Sequence, residues 1–122
     1  MSERLMIIVT NSDPRNPCEI SEPIYHATVA ASMDYQVELI FSGRAGEIVV
    51  KDVASEIPSL KDESRSLYDM IKDAHENGVT IKATKLLTQR WGTELIPEVE
   101  DIVGGGYLIS EAMRESTVTL TY

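Results

Sequence analysis

The chain has 122 residues, 43% hydrophobic and 25% charged, with a formal net charge of −9 from 20 acidic against 11 basic side chains. That composition is ordinary for a globular domain and excludes a disordered tail, a collagen-like chain and a coiled coil. A surface this acidic repels phosphate backbones and anionic lipid, so neither a nucleic acid nor a membrane is expected as partner.

The longest aliphatic run, Leu5–Val9, is far shorter than the roughly 20 residues of a membrane helix. No basic segment followed by an apolar stretch opens the sequence, so a cytoplasmic protein is expected. One cysteine, Cys18, and two histidines, His26 and His75, leave no intrachain disulfide and too few ligands for a cysteine or histidine metal cluster. No metal and no other cofactor is expected.

In chain order, Arg4–Thr10 is an apolar run bounded by polar residues, the pattern of a strand buried on both faces. Residues 11–18 (Asn-Ser-Asp-Pro-Arg-Asn-Pro-Cys) read as a loop. Ser21 is placed to cap a helix with Pro23 in its first turn, running to about Asp34 along Ile24, Ala27, Thr28 and Ala31. Gln36–Phe41 is a second strand, ended by Ser42-Gly43. Ile48, Val49, Val50, Val53 and Ile57 fit one helical face and also a β-branched strand. The reading taken is a helix over 45–54, closed by Pro58.

Leu67, Met70, Ile71 and Ala74 place a helix over 61–77, stopped by Asn77-Gly78. Val79–Thr84 reads as a third strand, 86–91 as a short helix ended by Gly92, and 101–103 as a short strand running into Gly104-Gly105-Gly106. A helix over 107–115 and a strand over 117–122 close the order. Alternation of this kind, with crossovers long enough for parallel pairing, predicts a single α/β domain over 1–122. Its expected form is a three-layer α/β/α sandwich around a mainly parallel five-stranded sheet.

In such sheets ligands sit beyond the carboxyl ends of the strands. The segments that leave those ends carry the candidate ligand-binding residues: Asn11 and Ser12, Arg44, Thr84 and Lys85 with Arg90 close by, and the glycines Gly104, Gly105 and Gly106. The triglycine before a helix resembles an anion cradle but lacks both the Walker sequel and the G-x-G-x-x-G spacing. Cys18 is the one strong nucleophile. It precedes the first expected helix, where amides and the helix dipole favour a thiolate, and His26 is the candidate base. Trp91 is either an interface anchor or a core residue. No G-x-S-x-G elbow is present, and the third strand ends in Lys82-Ala83-Thr84, without the aspartate of a response regulator.

The succession Leu5-Met-Ile-Ile-Val-Thr-Asn-Ser-Asp-Pro14, Asn77-Gly-Val-Thr-Ile-Lys-Ala-Thr84, Trp91-Gly92, Glu94-Leu-Ile-Pro97, Val103-Gly104-Gly105 and Thr117-Val-Thr-Leu-Thr-Tyr122 resembles the DsrE/DsrF-like family of small sulfur-relay proteins. The resemblance runs over nearly the whole chain. Carriers of that family hold sulfur as a persulfide on a cysteine just after the third strand. By the resemblance that place falls at Thr84, and the second cysteine of some members falls near Leu87. A hydroxyl cannot hold sulfane sulfur, so the resemblance implies a relative without the carrier thiol. It also implies a homo-oligomer, or a hetero-oligomer with related subunits, and sulfur-relay proteins as possible partners.

Three functional readings follow. The first is a structural or regulatory oligomer subunit, leaning towards no enzymatic activity, or a binder of a small anion at the strand ends. The second moves the persulfide to Cys18. The third is a small-molecule or nucleotide-binding enzyme built on the triglycine and Arg44.

Overall fold

The computed structural model describes residues 3–60 and 62–122. Its elements are β1 (Arg4–Val9), α1 (Pro17–Ser32), β2 (Gln36–Phe41), two 3-10 turns (Gly43–Val49 and Ala54–Glu56), α2 (Leu67–Glu76), β3 (Thr80–Thr84), α3 (Lys85–Trp91), β4 (Val99–Val103), α4 (Gly105–Ala112) and β5 (Thr117–Thr121). The five strands form one sheet in the order β4-β3-β2-β1-β5. Every adjacent pair runs parallel, as a chain that inserts helices between strands requires.

Side chains alternate across each strand, so the two faces divide cleanly. One face carries Ile7, Val9, Val37, Leu39, Phe41, Ile81 and Ala83, and packs with Ile20, Ile24 and Ala27 of α1 and Leu67, Ile71 and Ala74 of α2. The opposite face carries Met6, Ile8 and Ile40, covered by Tyr107, Leu108 and Ala112 of α4. Helices on both faces make the expected three-layer α/β/α sandwich.

Several boundaries differ from the sequence reading, each for a local reason. Helix α1 starts at Pro17, where the side chain of Asn16 accepts from the Cys18 amide. A proline in the first helical position has no amide to lose and its φ already suits the helix. Ser21 is therefore not the cap; its hydroxyl donates back to the Pro17 carbonyl inside the first turns. Residues 45–54 do not form an α-helix. They make a 3-10 turn to Val49, after which Val50 forms one isolated antiparallel bridge with Leu95 and the chain turns into a second 3-10 turn at Ala54, so the β-branched run becomes neither α-helix nor strand.

Helix α2 begins at Leu67, six residues later than expected, because Ser66 and Asp69 form a reciprocal capping box. Of the expected 61–77 helix, Lys61 lies outside the described residues. Strand β4 starts earlier than read, at Val99, and α4 ends at Ala112 rather than 115. The glycine stops are where the sequence puts them, with φ of +100° at Gly78 and +90° at Gly92.

Candidate functional site

The carboxyl ends of β1, β2 and β3 open into a cleft of about 540 Å³. Its floor is Thr10 and Ser42, the first residues after β1 and β2. One wall is Gly43-Arg44; the other is α3, presenting Leu86, Leu87, Arg90 and Trp91. The chain builds this shape with two glycines. Gly43 has φ +52°, and a Cβ there would lie 2.5 Å from Thr10 Oγ1 and 2.9 Å from the Thr10 carbonyl oxygen. A Cβ at Gly46 would lie 2.4 Å from Leu87 Cδ1, so this glycine lets α3 approach the 3-10 turn. The Trp91 indole then ties the two walls together by donating to the Gly43 carbonyl at 3.3 Å.

Thr84 sits behind the floor. It is 5% exposed, and it caps α3. Its hydroxyl accepts from the Leu87 amide and donates to Ser42 Oγ at 3.1 Å. The sequence reading had Thr84 as a ligand contact; both capacities of its hydroxyl are used inside the fold instead. Lys85 follows as the first residue of α3 and is exposed. Arg44 is also exposed. Its Nε donates to the Asn11 carbonyl at 2.8 Å, and its Nη2 stands 3.9 Å from Glu19, which is long for an ion pair. Arg90 makes no ion pair among the described residues; its guanidinium lies 5.1 Å from the Trp91 ring centroid.

The remaining candidates are distributed differently. Asn11 borders the cleft through its carbonyl, whereas Ser12 is buried. Gly104, Gly105 and Gly106 leave the edge strand β4 and open α4 on the other side of the sheet, away from the residues that line the cleft. None of the three has a positive φ, and a Cβ on any of them would meet nothing within 4 Å. Their flexibility is used neither for a strained turn nor for close packing.

Cys18 is exposed in the first turn of α1. His26 follows eight residues later on the same helix, a rise of about 12 Å, and its ring nitrogens face the Tyr122 hydroxyl and, at 3.5 Å, Glu22. The two do not form a thiol–base pair. Their separation follows from the true start of α1, which puts His26 in the third turn rather than the second.

A second polar constellation lies under α4 toward the amino ends of the strands. Arg4 on β1, Glu38 on β2 and Lys82 on β3 share the face of Met6 and Ile40. Glu38 is 6% exposed. It accepts from Arg4 Nη2 at 2.5 and 2.6 Å, from Lys82 Nζ at 3.3 Å and from the Tyr107 hydroxyl at 2.6 Å. Lys82 Nζ also donates to the Tyr107 oxygen at 2.7 Å, and Arg4 pairs with Glu111 on α4. Burial alone would push the Glu38 carboxyl up, but the hydrogen bonds from Tyr107 and Arg4 and the charges of Lys82 and Arg4 outweigh it and hold it below the ordinary range. The sequence reading missed this group. Its signal was one charged residue in each of three strands, which acquires meaning only once the register is known.

No protein-family model and no curated protein matches the chain. Solved structures do. The ychN protein from E. coli superposes with a TM-score of 0.76 over 100% of both chains, at 17% sequence identity. A conserved protein of unknown function, BT1422 from Bacteroides thetaiotaomicron, gives 0.68 over 98% of this chain and 95% of its own, at 13% identity. At such identities the likeness establishes a shared α/β fold over essentially the full length.

Proposed function

We propose that this chain is a DsrE/DsrF-like protein without the carrier chemistry, a cytoplasmic oligomer subunit that binds a small anion in the cleft at the carboxyl ends of β1–β3. The observation that carries the reading is Thr84. At the position where the resemblance puts a persulfide-bearing cysteine stands a buried hydroxyl spent on capping α3 and on Ser42. Such a group neither ionises near neutral pH nor bonds sulfane sulfur, so this position does not carry sulfur.

Anion binding is supported by Arg44 and Arg90 on the cleft walls. Oligomerisation is supported by apolar side chains left open to water on β5, on α4 and just after it: Val118 is 58%, Ile109 68% and Met113 78% exposed. Isolated surface apolar residues are ordinary, but β5 is also a sheet edge without lysine, proline or a bulge to protect it.

One observation favours a second reading, a persulfide carried on Cys18: the thiol is exposed at the start of a 16-residue helix. Intact mass after incubation with a persulfide donor, run beside Cys18→Ser, separates the two. The non-carrier reading expects no adduct on either protein. A gain of one sulfur, about 32 Da, on the wild type alone overturns it in favour of Cys18. Light scattering at micromolar concentration expects an assembly larger than one chain; a monomer refutes the subunit role.

A further inference from the structure

We infer that the cleft between the 3-10 turn and α3 takes an amphipathic organic anion, a carboxylate carried on an aliphatic or aromatic body, in preference to a bare inorganic anion. The inference rests on the anion-binding reading above and specifies its ligand class.

The sign of the charge comes from the lining. In a protein of net charge −9, this cleft presents Arg44 and Arg90 and no carboxylate. Four other clefts on the surface each include at least one acidic side chain: Glu22, Glu38, Glu56 and Asp52, respectively. Arg44 is already tethered through Nε to the Asn11 carbonyl, and the nearest carboxylate to its terminal nitrogens, Glu19, is a long 3.9 Å away. Arg90 is steadied against the Trp91 ring. Guanidinium groups fixed in this way match a planar carboxylate.

The apolar body comes from the wall opposite Arg44. Leu86 is 71% exposed although it is a large aliphatic residue, and it stands beside Leu87 and the indole of Trp91 on one side of the opening. A phosphate or sulfate would use the cations and leave that wall wet. A neutral hydrocarbon would cover the wall and strip water from Arg90, which has no ion pair among the described residues, and from Arg44, whose pairing with Glu19 is long, at a cost. An anion with an apolar body satisfies both. At the floor, Ser42 accepts from Thr84 and retains its own hydroxyl proton, a further donor for a carboxylate oxygen. The volume of about 540 Å³ lies within the span usual for small-molecule sites, about 300–1,000 Å³. The walls need no ligand to form, because the Trp91–Gly43 bond and the close packing at Gly46 already hold them.

Trp91 is the single tryptophan of the chain, so intrinsic fluorescence reads this cleft directly. The purified protein is titrated with octanoate below its micelle-forming concentration, with octanol and with inorganic phosphate at matched ionic strength. Thermal midpoints are recorded alongside. The expected result is a saturable change in Trp91 emission and a rise in midpoint with octanoate, and at least tenfold weaker responses to octanol and phosphate. Arg90→Gln and Arg44→Gln, both at exposed positions, are expected to weaken octanoate about tenfold each; the unliganded midpoint is expected to stay unchanged in Arg90→Gln and to fall slightly in Arg44→Gln, which also loses its bond to the Asn11 carbonyl.

Phosphate binding as tightly as octanoate overturns the ligand class and leaves the anion-binding reading standing. Octanol binding as tightly as octanoate, with no effect of the arginine variants, reduces the cleft to an apolar patch and overturns both. No response to any of the three does the same.

Discussion

The two ends of the sheet treat charge in opposite ways. Toward the amino ends, Arg4, Glu38, Lys82 and Glu111 meet under α4, and two positive groups face two negative ones within hydrogen-bond reach. At the carboxyl ends, Arg44 and Arg90 stand on the walls of a cleft with no carboxylate in its lining. The first group consumes its own bonding capacity. Glu38 alone accepts from three side chains, and Tyr107 both donates and accepts. The second leaves capacity over. A closed network fixes a structure, and an open set of cations is available to something outside it. The polar group that is more buried and more tightly bonded is thus the poorer candidate for a binding site.

The most damaging way to test that contrast is to open the closed network. Breaking a buried ion pair by removing one partner leaves the others desolvated and uncompensated, at a cost of about 3–5 kcal/mol. Glu38→Gln is expected to lose stability on that scale in urea unfolding, since Arg4 and Lys82 would then face each other across a neutral amide. The loss depends on pH in a defined direction. The folded Glu38 carboxyl, like Glu111 paired with Arg4 and Arg114, titrates below the ordinary carboxylate range. Its contribution is therefore complete above about pH 5 and fades as the pH falls through the ordinary carboxylate value, about 4.3, toward the lowered folded one. The stability gap between wild type and Glu38→Gln is expected to be constant from pH 6 to 8 and to narrow progressively below pH 5. A gap that widens in acid refutes the assignment of Glu38 as an ionised, paired group.

The same contrast explains what the sequence disclosed. The strand β1 was legible because it is an apolar run between polar neighbours, β2 because Val37, Leu39, Ile40 and Phe41 keep a strand pattern around Glu38, and the ends of α2 and α3 because glycine follows each helix. These are local signals, decided within a few residues. The start of α1 was also local, but the loop-like composition of 11–18 masked the Asn16-Pro17 signature of a cap followed by a first-turn proline. The segment 45–54 was not decidable locally, because its conformation is settled by Leu95 and Ile96, more than 40 residues away, which pair with Val49 and Val50. The cleft was half legible. Parallel topology pointed to the strand ends and to Arg44, with Arg90 close by, but not to Trp91, which was read as an interface anchor or a core residue. Nothing in the sequence said that Thr84 would be buried behind Ser42, that the triglycine would open away from the cleft, or that Leu86 would be left in water.

A smaller effect is expected where the cleft is shaped rather than where charges are closed. Gly43→Ala places a Cβ at φ +52° and 2.5 Å from Thr10 Oγ1. Both the left-handed backbone and the contact are unfavourable, and together they are expected to cost about 1–3 kcal/mol. Because the carbonyl of the same residue holds the Trp91 indole, the substitution is also expected to change Trp91 fluorescence in the folded protein. Gly104→Ala is the control. With an ordinary φ and open space around it, it is expected to leave Trp91 fluorescence unaltered and to cost less than Gly43→Ala, under about 1 kcal/mol, for placing alanine at the N-cap of α4.

The smallest effect distinguishes the two ends most sharply. Arg90→Gln removes a positive charge, as Lys82→Gln does, and the residues are only eight apart in the chain. Arg90 is exposed, has no ion-pair partner among the described residues, and rests only on an indole face. Surface changes of that kind usually stay within about 0.5 kcal/mol, and an exposed cation–π contact contributes about 0.5–1 kcal/mol. Arg90→Gln is therefore expected to leave the unfolding midpoint in urea almost unchanged, whereas Lys82→Gln shifts it clearly downward by exposing Glu38 and Tyr107 to a missing partner. A comparable loss in both would mean that Arg90 is held by the fold after all, and that the carboxyl-end cations are structural like those under α4. An unchanged Arg90→Gln shows that the fold does not depend on that guanidinium, as a binding role in the cleft requires.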